Sequence, residues 1–149
     1  PHLNGRRYLR PCLESHKPID IIVIMLGTND LKIRFQKTAS EIALGMAALV
    51  QEIREAAFRS NAETPVILLV APPPILADLQ GRDCLFEGGF EKSQVLAAEY
   101  RKIAEAYSVG FLNAGDYASC SIKDGFHIDS TGAVGIGQAI AEMIQEKWS

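Results

Sequence analysis

The run Ile19-Asp-Ile-Ile-Val-Ile-Met-Leu26, closed by Gly27, constrains the fold more than any other stretch of the chain. It is nearly all apolar and rich in β-branched residues, and neither a two-residue nor a 3.6-residue period spares a face for water. Such a run predicts a strand buried on both faces, which in turn predicts a parallel sheet covered by helices.

The rest of the chain supplies the partners that such a strand needs. Pro65-Val-Ile-Leu-Leu-Val-Ala71 reads as a second buried strand stopped by Pro72-Pro-Pro74, and Val109–Ala114 as a third, shorter one. The period changes between them. Thr38-Ala-Ser-Glu41 has the form of a capping box, and Ile42, Met46, Leu49, Val50, Ile53 and Ala57 then keep one helix face. Glu91–Tyr107 reads as a helix with Val95, Leu96, Tyr100, Ile103, Ala104 and Tyr107 facing inward. Ser130–Trp148 reads as the last helix, with Val134, Ile140, Met143, Ile144 and Trp148 on its inner side. Gly132, Gly135 and Gly137 weaken its first turns, and their expected use is close approach to a neighbour. A short helix is expected at Arg6–Ser15. The alternation of strands and helices argues for an α/β fold, a three-layer doubly wound parallel sheet with right-handed crossovers. At 149 residues, 1–149 forms one domain.

Composition excludes several functions. The net charge is −3, and the basic residues are scattered, so electrostatic binding to nucleic acid or an anionic membrane is not expected. Arg6, Arg7 and Arg10, like Lys32, Arg34 and Lys37, read as solvated surface. Cys12, Cys84 and Cys120 are odd in number and lack Cys-x-x-Cys spacing, which fits a reducing, cytoplasmic setting better than a disulfide framework or zinc site. No apolar run reaches the roughly 18 residues that a membrane span requires.

In doubly wound sheets, sites collect at the carboxyl ends of the strands. Two motifs fall there. Asp124-Gly-Phe-His127 places a carboxylate three residues before an imidazole. A turn of that length lets the carboxylate accept from Nδ1–H and leaves Nε2 outward as a base, although the same pattern describes a loop ion pair or a helix cap. Gly27-Thr28-Asn29-Asp30 offers a sharp exit from the first strand and an amide donor, or else an Asx turn. An amide donor, a base and the carboxylate that orients it are three of the four parts of an acyl-transfer site. His2 and His16 have no partners at ligand spacing and read as surface residues. Asp124 with His127 could also hold a metal, but no third ligand is specified.

Ile24–Asp30 and Asp124–His127 resemble the third and fifth sequence blocks of the SGNH hydrolases, the GDSL-type esterases. With Leu3-Asn4-Gly5, Ala43-Leu-Gly-Met46, Pro72-Pro-Pro74 and Phe86-Glu-Gly-Gly89, the chain is similar to a bacterial arylesterase/acyltransferase branch of that family. The resemblance implies a flavodoxin-like SGNH fold and a Ser-His-Asp triad acting on short-chain or aryl esters, without cofactor. It also implies roles for individual residues: His127 as base, Asp124 as its orienting group, and Asn29 as oxyanion donor. Gly27 and Thr28 would adjoin the oxyanion. Phe86 and Phe126 would line an acyl pocket, a place that core packing explains nearly as well.

The sequence departs from the family pattern in lacking the Gly-Asp-Ser block that holds the nucleophile, and the block-two glycine as well. None of its serines (Ser15, Ser40, Ser60, Ser93, Ser108, Ser119, Ser121, Ser130 and Ser149) stands in a Gly-Asp-Ser or Gly-x-Ser-x-Gly context. The chain opens at Pro1 rather than at a methionine. These features together predict an N-terminally incomplete SGNH domain of about three strands and three to four helices, inactive or nearly so by itself. The absent strand would pair with Ile19 to Leu26, so that edge is expected to be open and to be covered by homo-oligomerisation or by a rearranged N-terminal segment. The rival expectation is a non-catalytic flavodoxin-like binding or assembly module, which lacks a phosphate-cradling glycine-rich loop.

Overall fold

The structure, a computed structural model, describes residues 4–148; His2, Leu3 and Ser149 lie outside the described residues. Seven regular elements follow one another: α1 (Gly5–Ser15), β1 (Ile21–Ile24), α2 (Ala39–Arg59), β2 (Val66–Ala71), α3 (Gly89–Ala106), β3 (Gly110–Asn113) and α4 (Ser130–Trp148). The three strands form one parallel sheet in the order β1-β2-β3. The α/β reading therefore holds, with β2 central.

The two faces of β2 explain the layering. Ile67, Leu69 and Ala71 join the core formed with α1, α2 and α3, whereas Leu68 and Val70 join a second core with Ala114, Ile136 and Ala139 under α4. All five are almost without solvent contact, as the continuous apolar run implies. Helix α2 presents the expected face: Ile42, Met46, Leu49, Val50, Ile53 and Ala57 are all buried. Its first turn is held by the reciprocal bonds of Thr38 and Glu41.

Several expectations need correction. β1 spans four residues and is not buried on both faces, since Val23 is 40% exposed and only Ile24 is buried. Val23 is in register with Leu68 and so points to the α4 side, which α4 covers over β2 and β3 but not over β1. Among the described residues, nothing pairs with the outer edge of β1. Helix α1 packs on α2 and leaves Met25 and Leu26 about two-fifths exposed. Val95 and Val134 were expected to face inward but are 51% and 59% exposed. Each lies beside the buried stripe rather than within it, an offset that a 3.6-residue period does not resolve near a stripe boundary. Helix α3 begins at Gly89, ahead of Glu91. The close-approach reading holds for Gly132 and Gly135, where an added Cβ would lie 2.9 Å from Ile128 and 3.0 Å from the Tyr117 carbonyl, but Gly137 faces open space.

Candidate active site

The loops that leave the carboxyl ends of β1, β2 and β3 carry the expected site residues. After β3, a short 3-10 turn at Ala114–Asp116 leads into the Asp124–His127 turn. Asp124 organises that turn. Its Oδ1 accepts the backbone N–H groups of Phe126 (3.1 Å) and His127 (3.0 Å), while Oδ2 lies 2.6 Å from His127 Nδ1. The backbone bond from His127, then its ring, then the backbone bond from Phe126, pull the Asp124 carboxyl down to about 2. An ionised carboxylate only accepts hydrogen bonds, so Nδ1 donates, and in the neutral imidazole the lone pair is then on Nε2. The His127 side chain is 72% exposed.

Neighbouring backbone clamps the turn. Ser121 N donates to the His127 carbonyl at 2.7 Å, and Gly125 N to the Ser121 carbonyl at 2.8 Å. Gly125 sits at φ +82°, and a Cβ there would come within 2.6 Å of the Asp78 carbonyl. Leu76 N in turn donates to the Gly125 carbonyl at 2.8 Å. The loop after β2 therefore forms the wall against which the Asp124–His127 turn is pressed. Cys120, beside it, is buried, and its thiol is pushed up to about 11 by burial and, secondarily, by the Asp124 charge. It stays protonated and non-nucleophilic near neutral pH.

After β1 the chain turns at Gly27, whose φ of +121° suits only glycine. Thr28–Leu31 forms a 3-10 turn, with Asp30 N donating to the Gly27 carbonyl at 2.9 Å. The fully buried Tyr100 of α3 donates its hydroxyl to the Leu26 carbonyl at 2.8 Å and so fixes where the turn begins. Burial raises the Tyr100 phenol, with a smaller contribution from the Asp30 charge. Burial likewise raises the Asp30 carboxyl, opposed by a hydrogen bond from its own backbone. Asn29 projects at the surface, its Oδ1 accepting from Lys32 Nζ at 2.6 Å.

Aromatic contacts bridge the two loops. Phe126 lies 4.3 Å from the His127 ring and 5.0 Å from Phe86, and Lys32 Nζ sits 5.5 Å above Phe86. Phe86 is a core residue, 3% exposed, and it also lines an open cavity of about 340 Å³ with Leu76, Leu79, Cys84 and Phe90. Phe86 is thus a core residue that also borders an open cavity. Sequence reasoning missed the contacts that Lys32 and Tyr100 make with the turn after β1. Lys32 was read as solvated surface and Tyr100 only as core, and the one available signal was the Asn29–Lys32 spacing of three.

His127 hydrogen-bonds to Asp124 and, through its carbonyl, to Ser121 N. A serine hydroxyl does meet an imidazole at Ser15 and His16, 2.9 Å apart, but Ser15 Oγ also contacts the Pro11 and Cys12 carbonyls, and among the described residues no carboxylate orients that ring. Among the described residues, no three His, Cys, Asp or Glu side chains converge as a metal site, and no helix is long and apolar enough to cross a membrane.

Comparison with known proteins places these features in context. The sequence profile of the GDSL-like lipase/acylhydrolase family matches residues 2–133. Among solved structures, the aryl esterase of M. smegmatis is similar at 38% identity and a TM-score of 0.90, covering 98% of this chain and 69% of its own. A carbohydrate acetylesterase from Sinorhizobium meliloti is similar at 39% identity and a TM-score of 0.91, covering 97% and 68%. A second carbohydrate acetylesterase family member from that organism shows 33% identity and a TM-score of 0.89, covering 98% and 72%. Comparison with curated proteins found no match.

Proposed function

The chain belongs to the GDSL-like lipase/acylhydrolase family, a family of ester hydrolases, and from that premise we propose that it carries the base and oxyanion half of a serine esterase site. The substrates are small short-chain or aryl esters. The reading rests on one observation above all: a 2.6 Å Asp124–His127 pair whose imidazole side chain is largely exposed.

In this reading a serine outside these 149 residues attacks the acyl carbonyl as His127 Nε2 takes its proton. Asp124 holds the imidazole in the Nδ1–H tautomer and stabilises the imidazolium that forms. The Asn29 amide donates to the developing oxyanion. Collapse of the tetrahedral intermediate expels the alcohol, which takes the proton from His127. Water, or an acceptor alcohol in a transfer reaction, then repeats the sequence on the acyl-serine. The free Cys12, Cys84 and Cys120 suit a reducing, cytoplasmic setting.

We also infer that these 149 residues by themselves, with no further segment paired along β1, associate through a second copy on that outer edge. Support comes from the unpaired strand edge and the exposure of Val23, Met25 and Leu26 beside it.

The catalytic reading is tested with p-nitrophenyl acetate and a serine-directed fluorophosphonate. The chain as given hydrolyses at the buffer rate and takes up no label. Joined to a Gly-Asp-Ser segment that pairs along β1, it hydrolyses and labels, and His127→Ala abolishes turnover. Hydrolysis by the unsupplemented chain that disappears in His127→Ala would overturn the placement of the nucleophile.

A further inference from the structure

We propose that Lys32 is a positioning residue for Asn29, doing for the amide what Asp124 does for the imidazole; the catalytic meaning of this role rests on the reading above. Both pairs span three residues, and both close at 2.6 Å. The chemistry fixes the sense of the Asn29 contact. An ammonium has donors and no acceptor, so only the amide oxygen can face Lys32 Nζ. The Nδ2 group must then point away from Lys32, with its protons free to donate. A bond to a charged donor also polarises the amide, which strengthens Nδ2–H as a donor toward an oxyanion.

Lys32 differs from a freely solvated surface lysine. It is half-buried, and its ammonium rests 5.5 Å over the ring of Phe86, a residue 3% exposed. Phe86 touches Phe126, whose ring lies 4.3 Å from that of His127 at a 46° tilt. Lys92 Nζ donates to the Leu31 carbonyl at 3.1 Å and holds the backbone just before Lys32. Asn29, Lys32, Phe86, Phe126 and His127 form one continuous series of contacts. The oxyanion donor and the base are thereby referred to the same buried ring.

The test is spectroscopic and needs neither substrate nor nucleophile. In ¹⁵N spectra of the intact chain, the Asn29 side-chain amide behaves as a rigid group, with an order parameter near the ~0.85 of ordered backbone, and the Lys32 ammonium gives a signal protected from exchange. Lys32→Met drops the Asn29 order parameter below about 0.6 while backbone shifts elsewhere stay in place. Lys32→Arg restores it. A wild-type Asn29 amide that is already mobile, an unprotected Lys32 ammonium, or an order parameter unmoved by Lys32→Met would each overturn the proposal. The wild-type ammonium signal decides the matter even if Lys32→Met fails to fold. An esterase assay that stays negative under every condition would defeat the catalytic reading and leave these spectra unchanged, so the two failures are distinguishable.

Discussion

At the residue scale, a few local hydrogen bonds determine the chemistry. Asp124 gains three of them from its own turn, and they hold its carboxyl near 2 against an ordinary 3.8. A carboxyl depressed on folding contributes stability that is complete above its unfolded value and is lost as pH falls through the folded one. The wild-type chain is therefore expected to lose stability between about pH 4 and pH 2, and Asp124→Asn to lose that segment of the slope. Urea denaturation in half-unit pH steps checks this, and identical slopes for the two proteins would refute it. The same substitution removes the acceptor that holds Nδ1–H, so the low-field imidazole proton signal is expected to vanish. The Asp-x-x-His spacing was legible as a motif from the sequence because both partners lie within one turn. Lys32 was not, since a lysine among other basic residues looks like solvated surface until Phe86 is seen beneath it.

At the scale of elements, β1 reaches the site through a junction that depends on α3. Gly27 takes φ +121°, and a Cβ there would overlap the Tyr100 hydroxyl. The same hydroxyl caps the Leu26 carbonyl. Tyr100→Phe is expected to cost about 1–2 kcal/mol, since it leaves that acceptor without its donor. Gly27→Ala is expected to cost about 2–4 kcal/mol, through backbone strain and overlap together. Chemical denaturation measures both. In the double variant the two costs should fall short of additivity, because removing the hydroxyl relieves part of the clash. Costs below about 0.5 kcal/mol for both single variants would refute the junction. The α2 face was readable from its spacing because nine of its residues are buried and the stripe is wide. Val95 and Val134 were misplaced because spacing gives the period of a stripe but not its edge.

At the scale of the whole molecule, the outer edge of β1, unpaired among the described residues, is expected to govern association. A strand edge flanked by exposed Val23, Met25 and Leu26 is expected to self-associate, with light scattering showing a mass that rises toward twice the single-chain value with concentration. Val23→Lys is expected to return the chain to a monomer by at least a tenfold weaker association, the equivalent of about 1.4 kcal/mol. A wild-type chain that is monomeric at every concentration would refute the edge-pairing proposal. The sequence by itself determined the α/β class, the three strands, the α2 face and both polar turns, because each is written in a period or spacing shorter than one element. Only the tertiary structure decided that β1 is bare on one face, that Tyr100 holds its end, and that Lys32 and Phe86 join the Asn29 loop to His127. Those outcomes depend on contacts between residues far apart in the chain, and no local period encodes them.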